Sequence, residues 1–188
     1  MHAQDGRLRI GGIAGMAYSQ NFYKIWHSNF ICNDGYRVDD SGQERHFHAS
    51  GSFLAGVTFE TGRKTVLSLQ SGYAGISDRS RIVPVLLGIT RFNGSASSDS
   101  AFWYASAGAG FHIEGMQRYG IAALTALGGG YRFCLCPELS MDLKMGLNAS
   151  YDRPPVKDID GIGYVPRRNI RRSNSVCCAL EIGVSFSF

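Results

Sequence analysis

The chain has 188 residues, of which 44% are hydrophobic, 12% aromatic and 18% charged, with a net charge of +4 at pH 7. This mixture excludes a disordered chain, which needs high charge and few aromatic residues, and the length allows one domain with a real core. A membrane-spanning helix is also excluded, because it needs about 20 consecutive apolar residues, whereas the charge-free apolar stretch at residues 119–131 is rich in glycine.

Taken in chain order, the sequence begins without the basic and apolar regions of a signal peptide, so we expect none in this sequence. Large apolar residues then alternate with small or polar ones. A side-chain period of two is typical of β-strands, not helices. It predicts eight strands, each long enough to cross a bilayer when tilted, at about residues 7–18, 47–59, 64–75, 80–92, 101–113, 119–133, 139–151 and 175–188.

The connections alternate in length. Long segments at about 19–45 and 152–173 follow odd-numbered strands, whereas tight connections at 60–63 and 134–137 follow even-numbered strands. Short turns on one side and long loops on the other are the layout of outer-membrane barrels. The sequence therefore predicts an all-β fold, an eight-stranded antiparallel up-and-down transmembrane β-barrel, as a single domain over 1–188.

The polar face of the predicted strands is small and nearly free of charge, as in residues 102–112, and residues 121–130 carry no charge on either face. A soluble lipocalin-like barrel that binds a hydrophobic ligand has the same strand number but turns its apolar face inward. Its water-facing side would then be an aggregation hazard. We therefore expect large side chains to face lipid and small ones to fill a narrow lumen.

Three segments carry a resemblance to a known family: 182–188 (IGVSFSF), 82–88 (IVPVLLG) and 104–111 (YASAGAGF). The chain resembles small eight-stranded bacterial outer-membrane β-barrels of the porin-like outer-membrane protein β-barrel domain family. The resemblance implies the outer membrane of Gram-negative bacteria and an assembly signal at Phe186 and Phe188, read by the barrel-assembly machinery. The five cysteines depart from that family; we expect them to be small packing residues.

Charged residues on the inward face gather towards the short-turn end: Arg7 and Arg9 in the first strand, Asp142 and Lys144 in the seventh, and Glu181 in the eighth. Because a buried charge must find a partner, we predict an ion-pair network there. Side chains just fill the lumen of an eight-stranded barrel, so we expect no open diffusion pore.

His48 and Ser50 share the inward face of the second predicted strand and resemble, weakly, the His/Ser pair of barrels that deacylate lipid A. Catalysis would need a base within hydrogen-bond reach of the serine oxygen. Because this face points to the lumen rather than to lipid, we expect no catalysis and regard these two residues as weak candidates.

Four arginines stand in the last long segment and could bind lipopolysaccharide phosphates through bidentate pairs: Arg167, Arg168, Arg171 and Arg172. A solvated loop is the alternative. We expect no nucleic acid as partner, no cofactor and no metal, and a monomer in contact with outer-membrane lipid and lipopolysaccharide.

The function expected from the sequence is a non-enzymatic outer-membrane protein with a structural, adhesion or surface-binding role carried by its long loops. A lipid A-modifying hydrolase and a soluble barrel binding a hydrophobic ligand remain as alternatives. The sequence names no ligand, because one fold serves many functions.

Overall fold

The computed structural model describes residues 9–45, 47–77, 80–113, 120–159 and 163–188. These residues form β1 (Arg9–Ile31), β2 (Arg37–Glu44), β3 (His48–Gly62), β4 (Thr65–Ser77), β5 (Ser80–Phe92), β6 (Ser100–His112), β7 (Ile121–Cys136), β8 (Leu139–Asp152), a 3-10 helix (Arg167–Asn169) and β9 (Ile170–Ser187). In this described part of the chain, no helix is long and apolar enough to cross a membrane.

The sheet closes on itself. Each strand from β3 to β9 pairs antiparallel with the next, and β1 pairs with β3 on one side and β9 on the other. β2 stands outside this ring and pairs only with the second half of β1. Eight strands, β1 and β3–β9, therefore form an antiparallel up-and-down barrel, which confirms the predicted fold class.

Two ends of the barrel are distinguished by their connections. At the short-turn end lie residues 63–64, 93–99 and 137–138, which join β3 to β4, β5 to β6 and β7 to β8. Phe188 is at this end too, where its backbone exchanges hydrogen bonds of 2.6 and 3.0 Å with Gly12. At the opposite end, the long-segment end, residues 153–169 join β8 to β9.

The segment 19–45 differs from its prediction as a loop. β1 continues to Ile31, turns at 32–36 and returns as β2, so most of the segment is a β-hairpin. β9 also begins at Ile170, earlier than predicted, and pairs with β1 as far as Phe30. A three-stranded extension, made of residues 23–31, 37–44 and 170–178, therefore rises beyond the barrel at the long-segment end.

Glycines make room for aromatic rings inside the barrel. Tyr104 on β6, Gly128 on β7 and Gly146 on β8 are successive register partners. A Cβ atom on Gly128 would lie 2.8 Å from Tyr104 Cε1, and one on Gly146 would lie 2.6 Å from Tyr104 Oη. The Tyr104 ring thus lies flat along two neighbouring strands, where only glycine leaves space.

Two clusters of buried apolar side chains fill much of the interior. The lower cluster, towards the short-turn end, consists of Val66, Phe92, Ala96, Phe102 and Tyr104. The upper cluster, towards the long-segment end, consists of Ala74, Ile76, Ile82, Ala122 and Leu124. Ala96 belongs to the turn 93–99, so this turn folds back against the lower cluster.

Candidate functional site

The outer wall of the barrel is an apolar surface. Exposure alternates along the strands, and the side chains facing outward are large and apolar, with Leu87 67%, Met145 65%, Leu127 62% and Ile182 61% exposed. Aromatic residues, including Trp103 and Phe111, stand among them. Soluble monomers rarely expose apolar patches larger than a few hundred Å². This wall is therefore suited to hydrocarbon, as expected for a transmembrane barrel.

A buried ion pair lies at the short-turn end. Arg132 on β7 donates hydrogen bonds to Asp142 on β8, from Nε to Oδ1 (2.7 Å) and from Nη2 to Oδ2 (2.8 Å). Arg132 also donates from Nη1 to the Ala96 carbonyl (2.8 Å) and from Nη2 to Ser187 Oγ (3.3 Å), and it lies 4.4 Å above the Phe92 ring centroid. The guanidinium thus ties the turn 93–99 to the barrel wall.

The structure describes four of the five predicted network residues and brings three of them near one another: Lys144 lies within electrostatic range of Asp142 and Glu181. Asp142 pairs with Arg132, which is not one of these five residues. Arg9 is exposed. It pairs with Glu60 of β3, but it lies before Gly12, where the hydrogen bonds with Phe188 close the ring. Arg7 lies outside the described residues.

Lys144 and Glu181 line a central cavity of about 110 Å³. Glu181 Oε2 accepts hydrogen bonds from Asn148 Nδ2 (3.2 Å) and, at the distance limit, from Ser19 Oγ (3.5 Å). Lys144 Nζ lies 5.8 Å from the Tyr104 ring centroid. Among the described residues Lys144 forms no ion pair within 4.0 Å.

A second buried polar cluster, which sequence reasoning missed, lies at the long-segment end. His112 Nε2 faces Asp152 Oδ1 at 2.9 Å, and its Nδ1 faces Ser80 Oγ at 3.3 Å. Ser80 Oγ donates to Asp152 Oδ2 at 3.0 Å. A carboxylate only accepts, so His112 Nε2 carries a hydrogen here. Ser80 Oγ is thus within hydrogen-bond distance of both the carboxylate and the imidazole, and the cluster holds β5, β6 and β8 together.

His48 and Ser50 do share one face of β3, as alternation requires. Ser50 Oγ is buried, has no hydrogen-bond partner and borders the central cavity. His48 therefore does not hold the serine hydroxyl, so a base–nucleophile contact is not assembled at this pair.

The extension carries its own small core on one face. Phe30 and Cys32 are 4% and 2% exposed and pack against Val165 from the segment 153–169. Val156 of the same segment adds to this cluster. Asp158 Oδ2 accepts a hydrogen bond from the backbone N–H of Asn33 (3.0 Å). The described parts of the segment, 153–159 and 163–169, are thus folded onto the extension.

The other face of the extension is a polar network. His27 Nε2 lies 2.8 Å from Asp39 Oδ1, and Asn29 Nδ2 donates to Asp39 Oδ2 at 2.6 Å. Arg37 Nε donates to Asn29 Oδ1 at 3.1 Å. The hydrogen bond from His27 lowers the pKa of the Asp39 carboxyl below its usual 3.8.

The four candidate phosphate-binding arginines lie where the segment 153–169 enters β9. Arg167 and Arg168 belong to the 3-10 helix, and Arg171 and Arg172 are the second and third residues of β9. Arg167, Arg168, Arg171 and Arg172 are not buried. Arg171 and Arg172 therefore stand at the far end of the extension, and Arg167 and Arg168 stand on the segment that leads into it.

Phe186 and Phe188, the predicted assembly signal, are both exposed, at 38% and 65%. Phe186 is register partner of Ala14 on β1 and Met141 on β8. All five cysteines are free thiols, and Cys32 and Cys177 are buried.

Comparisons with known proteins give distant likenesses to solved structures. No model of a protein family matches the chain, and no curated protein matches it. Among solved structures, Neisserial surface protein A (NspA) is 8% identical, covers 92% of this chain and 95% of its own, and has a TM-score of 0.42. The outer membrane protein AlkL, solved in DMPC lipid bilayers, is 12% identical, covers 100% and 94%, and has a TM-score of 0.45. At these values neither likeness carries weight, and the fold rests on the strand pairings of the chain itself.

Proposed function

We propose that the chain is a non-enzymatic integral protein of the bacterial outer membrane, whose surface-binding or adhesion role lies in the extension. The observation that carries this proposal is the apolar outer wall around a narrow, filled interior. A β-barrel with such a wall satisfies its backbone hydrogen bonds within hydrocarbon, which an open sheet does not. In the same arrangement, the extension and the segment 153–169 stand outside the bilayer.

Fractionation and gel mobility test the membrane part of this proposal. We expect the expressed protein to sediment with outer membranes and to need detergent once extracted. A closed barrel should also migrate differently on a gel before and after boiling. A monomer that stays folded in water without detergent would contradict the membrane assignment and favour the soluble, ligand-binding barrel.

We further propose that the partner of the extension is the phosphate-bearing headgroup of lipopolysaccharide. Four guanidinium groups within six residues, at the far end of the extension where Ile170 pairs with Phe30, can form charge-assisted pairs with phosphate oxygens. They are Arg167, Arg168, Arg171 and Arg172. Such headgroups would meet the protein beyond the long-segment end of the apolar wall, where these positive charges stand.

Replacing these four arginines by glutamine tests the partner. We expect the affinity of the nanodisc-embedded protein for lipopolysaccharide to fall by about tenfold or more, since each charge-assisted hydrogen bond contributes roughly 1.5–3 kcal/mol. A matched control removes four exposed cations at the short-turn end, namely Arg9, Arg63, Lys64 and Arg91. Equal losses in both variants would show general charge attraction and contradict a site on the extension.

The hydrolase alternative has one direct test. Ser50→Ala should leave the lipid A of expressing cells unchanged, because the Ser50 hydroxyl is not held by a base. A lipid A profile that changes on expression of the wild type and reverts with Ser50→Ala would establish the enzyme instead.

A further inference from the structure

A groove of about 560 Å³, the outer groove, crosses the face of the extension that carries the His27–Asp39 contact. Ile25 and His27 on β1 line it, and so does Val176, the register partner of Ile25 on β9. Tyr151 of β8 borders the same groove and is the register partner of Val176. Because β8 belongs to the barrel and His27 to the extension, the outer groove lies where the apolar wall meets the extension.

Two amide side chains line the outer groove with their carbonyl oxygens already bound. Tyr23 Oη donates a hydrogen bond to Gln43 Oε1 (2.6 Å), and Tyr151 Oη donates one to Asn174 Oδ1 (2.9 Å). These bonds orient the two amides, and the NH₂ end of each carries two donors. Gln43 is on β2 and Asn174 on β9, so the donors flank β1 from both sides.

The charge of the outer groove is positive. Arg172 lines it, and a guanidinium has five N–H donors. The neighbouring Asp39 carboxylate is compensated, since it accepts a hydrogen bond from Asn29 Nδ2 (2.6 Å) and lies 3.6 Å from Arg37 Nη2. Donors and positive charge together suit the phosphate and hydroxyl oxygens of a phosphorylated saccharide.

A crevice of about 500 Å³, the wall crevice, opens in the apolar wall on the same two strands, β1 and β9. Met16, Tyr18 and Ile182 line it and are 63%, 52% and 61% exposed. Gly51 on β3 keeps it open, because a Cβ atom there would meet only the Ala17 carbonyl oxygen, at 3.8 Å. The wall crevice is therefore an apolar recess that a hydrocarbon chain can fill.

The groove and the crevice lie one above the other. Alternation places Val176 of the outer groove and Ile182 of the wall crevice on the same face of β9. At about 3.4 Å per residue they are about 20 Å apart along the strand. In a strand tilted by about 45°, this spacing descends through about half of the 30 Å hydrocarbon core, which is the depth of one leaflet.

We propose that the outer groove and the wall crevice together hold one lipopolysaccharide molecule, with its phosphorylated saccharide in the groove and one acyl chain in the crevice. This inference rests on the proposed function and deepens it. It adds Gln43 and Asn174 to the headgroup site and gives the lipid a fixed position on the wall, neither of which a general attraction between arginine and phosphate requires.

The amides test the headgroup part. We expect Gln43→Leu/Asn174→Leu to weaken the binding of lipopolysaccharide to the protein in detergent micelles by about tenfold, the factor that corresponds to one charge-assisted hydrogen bond. Asn93→Leu, an exposed asparagine at the short-turn end, should leave the affinity unchanged. Inorganic phosphate at the same phosphate concentration should not displace the lipid; displacement would indicate a free-anion site and overturn the proposal.

Unchanged affinity of the amide variant would also overturn the proposal. If the variant without the four arginines loses affinity in the same assay, the proposed function stands without this site. If neither variant loses affinity, the proposed partner fails as well.

Filling the wall crevice tests the lipid part. Gly51→Phe, and Ala49→Phe from a second lining position, should lower the affinity for intact lipopolysaccharide several-fold and leave that for its deacylated saccharide unchanged. Ala107→Phe, at an exposed wall position on β6, should change neither affinity. The heat-dependent gel shift identifies the variants that are folded. Equal affinities of the crevice variants and Ala107→Phe for the intact lipid would overturn the proposal.

Discussion

Arg132 and Asp142 are register partners on neighbouring strands and are joined inside the barrel by two hydrogen bonds of 2.7 and 2.8 Å. Both residues are buried, at 6% and 2% exposed. The same guanidinium holds the Ala96 carbonyl, so one side chain links β7, β8 and the turn 93–99. The pair therefore holds two strands and a turn together at the short-turn end.

Breaking this pair from one side should destabilise the barrel strongly. Arg132→Met leaves the Asp142 carboxylate buried without its partner, and we expect a loss of about 3–5 kcal/mol. Urea unfolding in micelles, followed by tryptophan fluorescence, measures it. The double variant Arg132→Met/Asp142→Leu should recover most of the loss, because replacing a buried pair by apolar residues is often neutral. No recovery would show that the contact with Ala96 dominates.

The Phe102 ring and the backbone of β8 should leave space only for glycine at position 130. A Cβ atom there would meet the Leu143 carbonyl oxygen and lie 2.5 Å from Phe102 Cζ. We expect Gly130→Ala to cost about 1–3 kcal/mol through overpacking, measured by the same unfolding curves. Gly129→Ala is the control, because that Cβ meets only the Phe102 carbonyl oxygen, at 3.3 Å. Similar losses for both would contradict the packing described here.

Phe30→Ala should release the segment 153–169 without opening the barrel. Phe30 is 4% exposed in the core of the extension, and such truncations cost about 3–5 kcal/mol. We expect faster protease cleavage within 153–169 and an unchanged heat-dependent gel shift. Ile25→Ala, on the same strand but 45% exposed, should leave cleavage unchanged; faster cleavage there as well would mean that the extension has no core of its own.

The polar face of the extension should loosen at low pH. The pKa of Asp39 is lowered, first by the hydrogen bond from His27. A carboxyl with a lowered pKa stabilises the fold above its ordinary pKa and loses that contribution as the pH falls through the folded value. An NMR titration should therefore show the Asp39 pKa below 3.8. His27→Leu should move it upward by more than Arg37→Gln does, and the reverse order would contradict the assignment.

The period of two was sufficient to predict the barrel. β5 (Ser80–Phe92) has the bounds read from the sequence, and β8 differs by a single residue at its end. The strands of the extension were not predicted, for two physical reasons. A β-bulge between Asn21 and Tyr23 shifts the alternation of β1 by one residue, and above it both faces are occupied, one by the segment 153–169 and the other by a polar network.

The interior charges could be predicted only in part. Alternation does place Arg132 on the same face as Gly130 and Gly128, and that signal was available in the sequence. The partner of each charge depends on the strand register and on where the ring closes. The alternation of residues along one strand specifies neither of these. Arg9 has the inward parity of Ile13 but stands outside the closed ring.

The central claim is that one face of β8 points to lipid and the other to the lumen. Spin labels on single cysteines measure this orientation most directly. In a cysteine-free background in bilayers, labels at Leu143 and Met145, 42% and 65% exposed, should collide readily with oxygen dissolved in lipid. A label at Lys144, between them and facing the central cavity, should be shielded from oxygen. High oxygen accessibility at Lys144 with shielding at Leu143 and Met145, or no alternation at all, would contradict a barrel with its apolar face towards lipid.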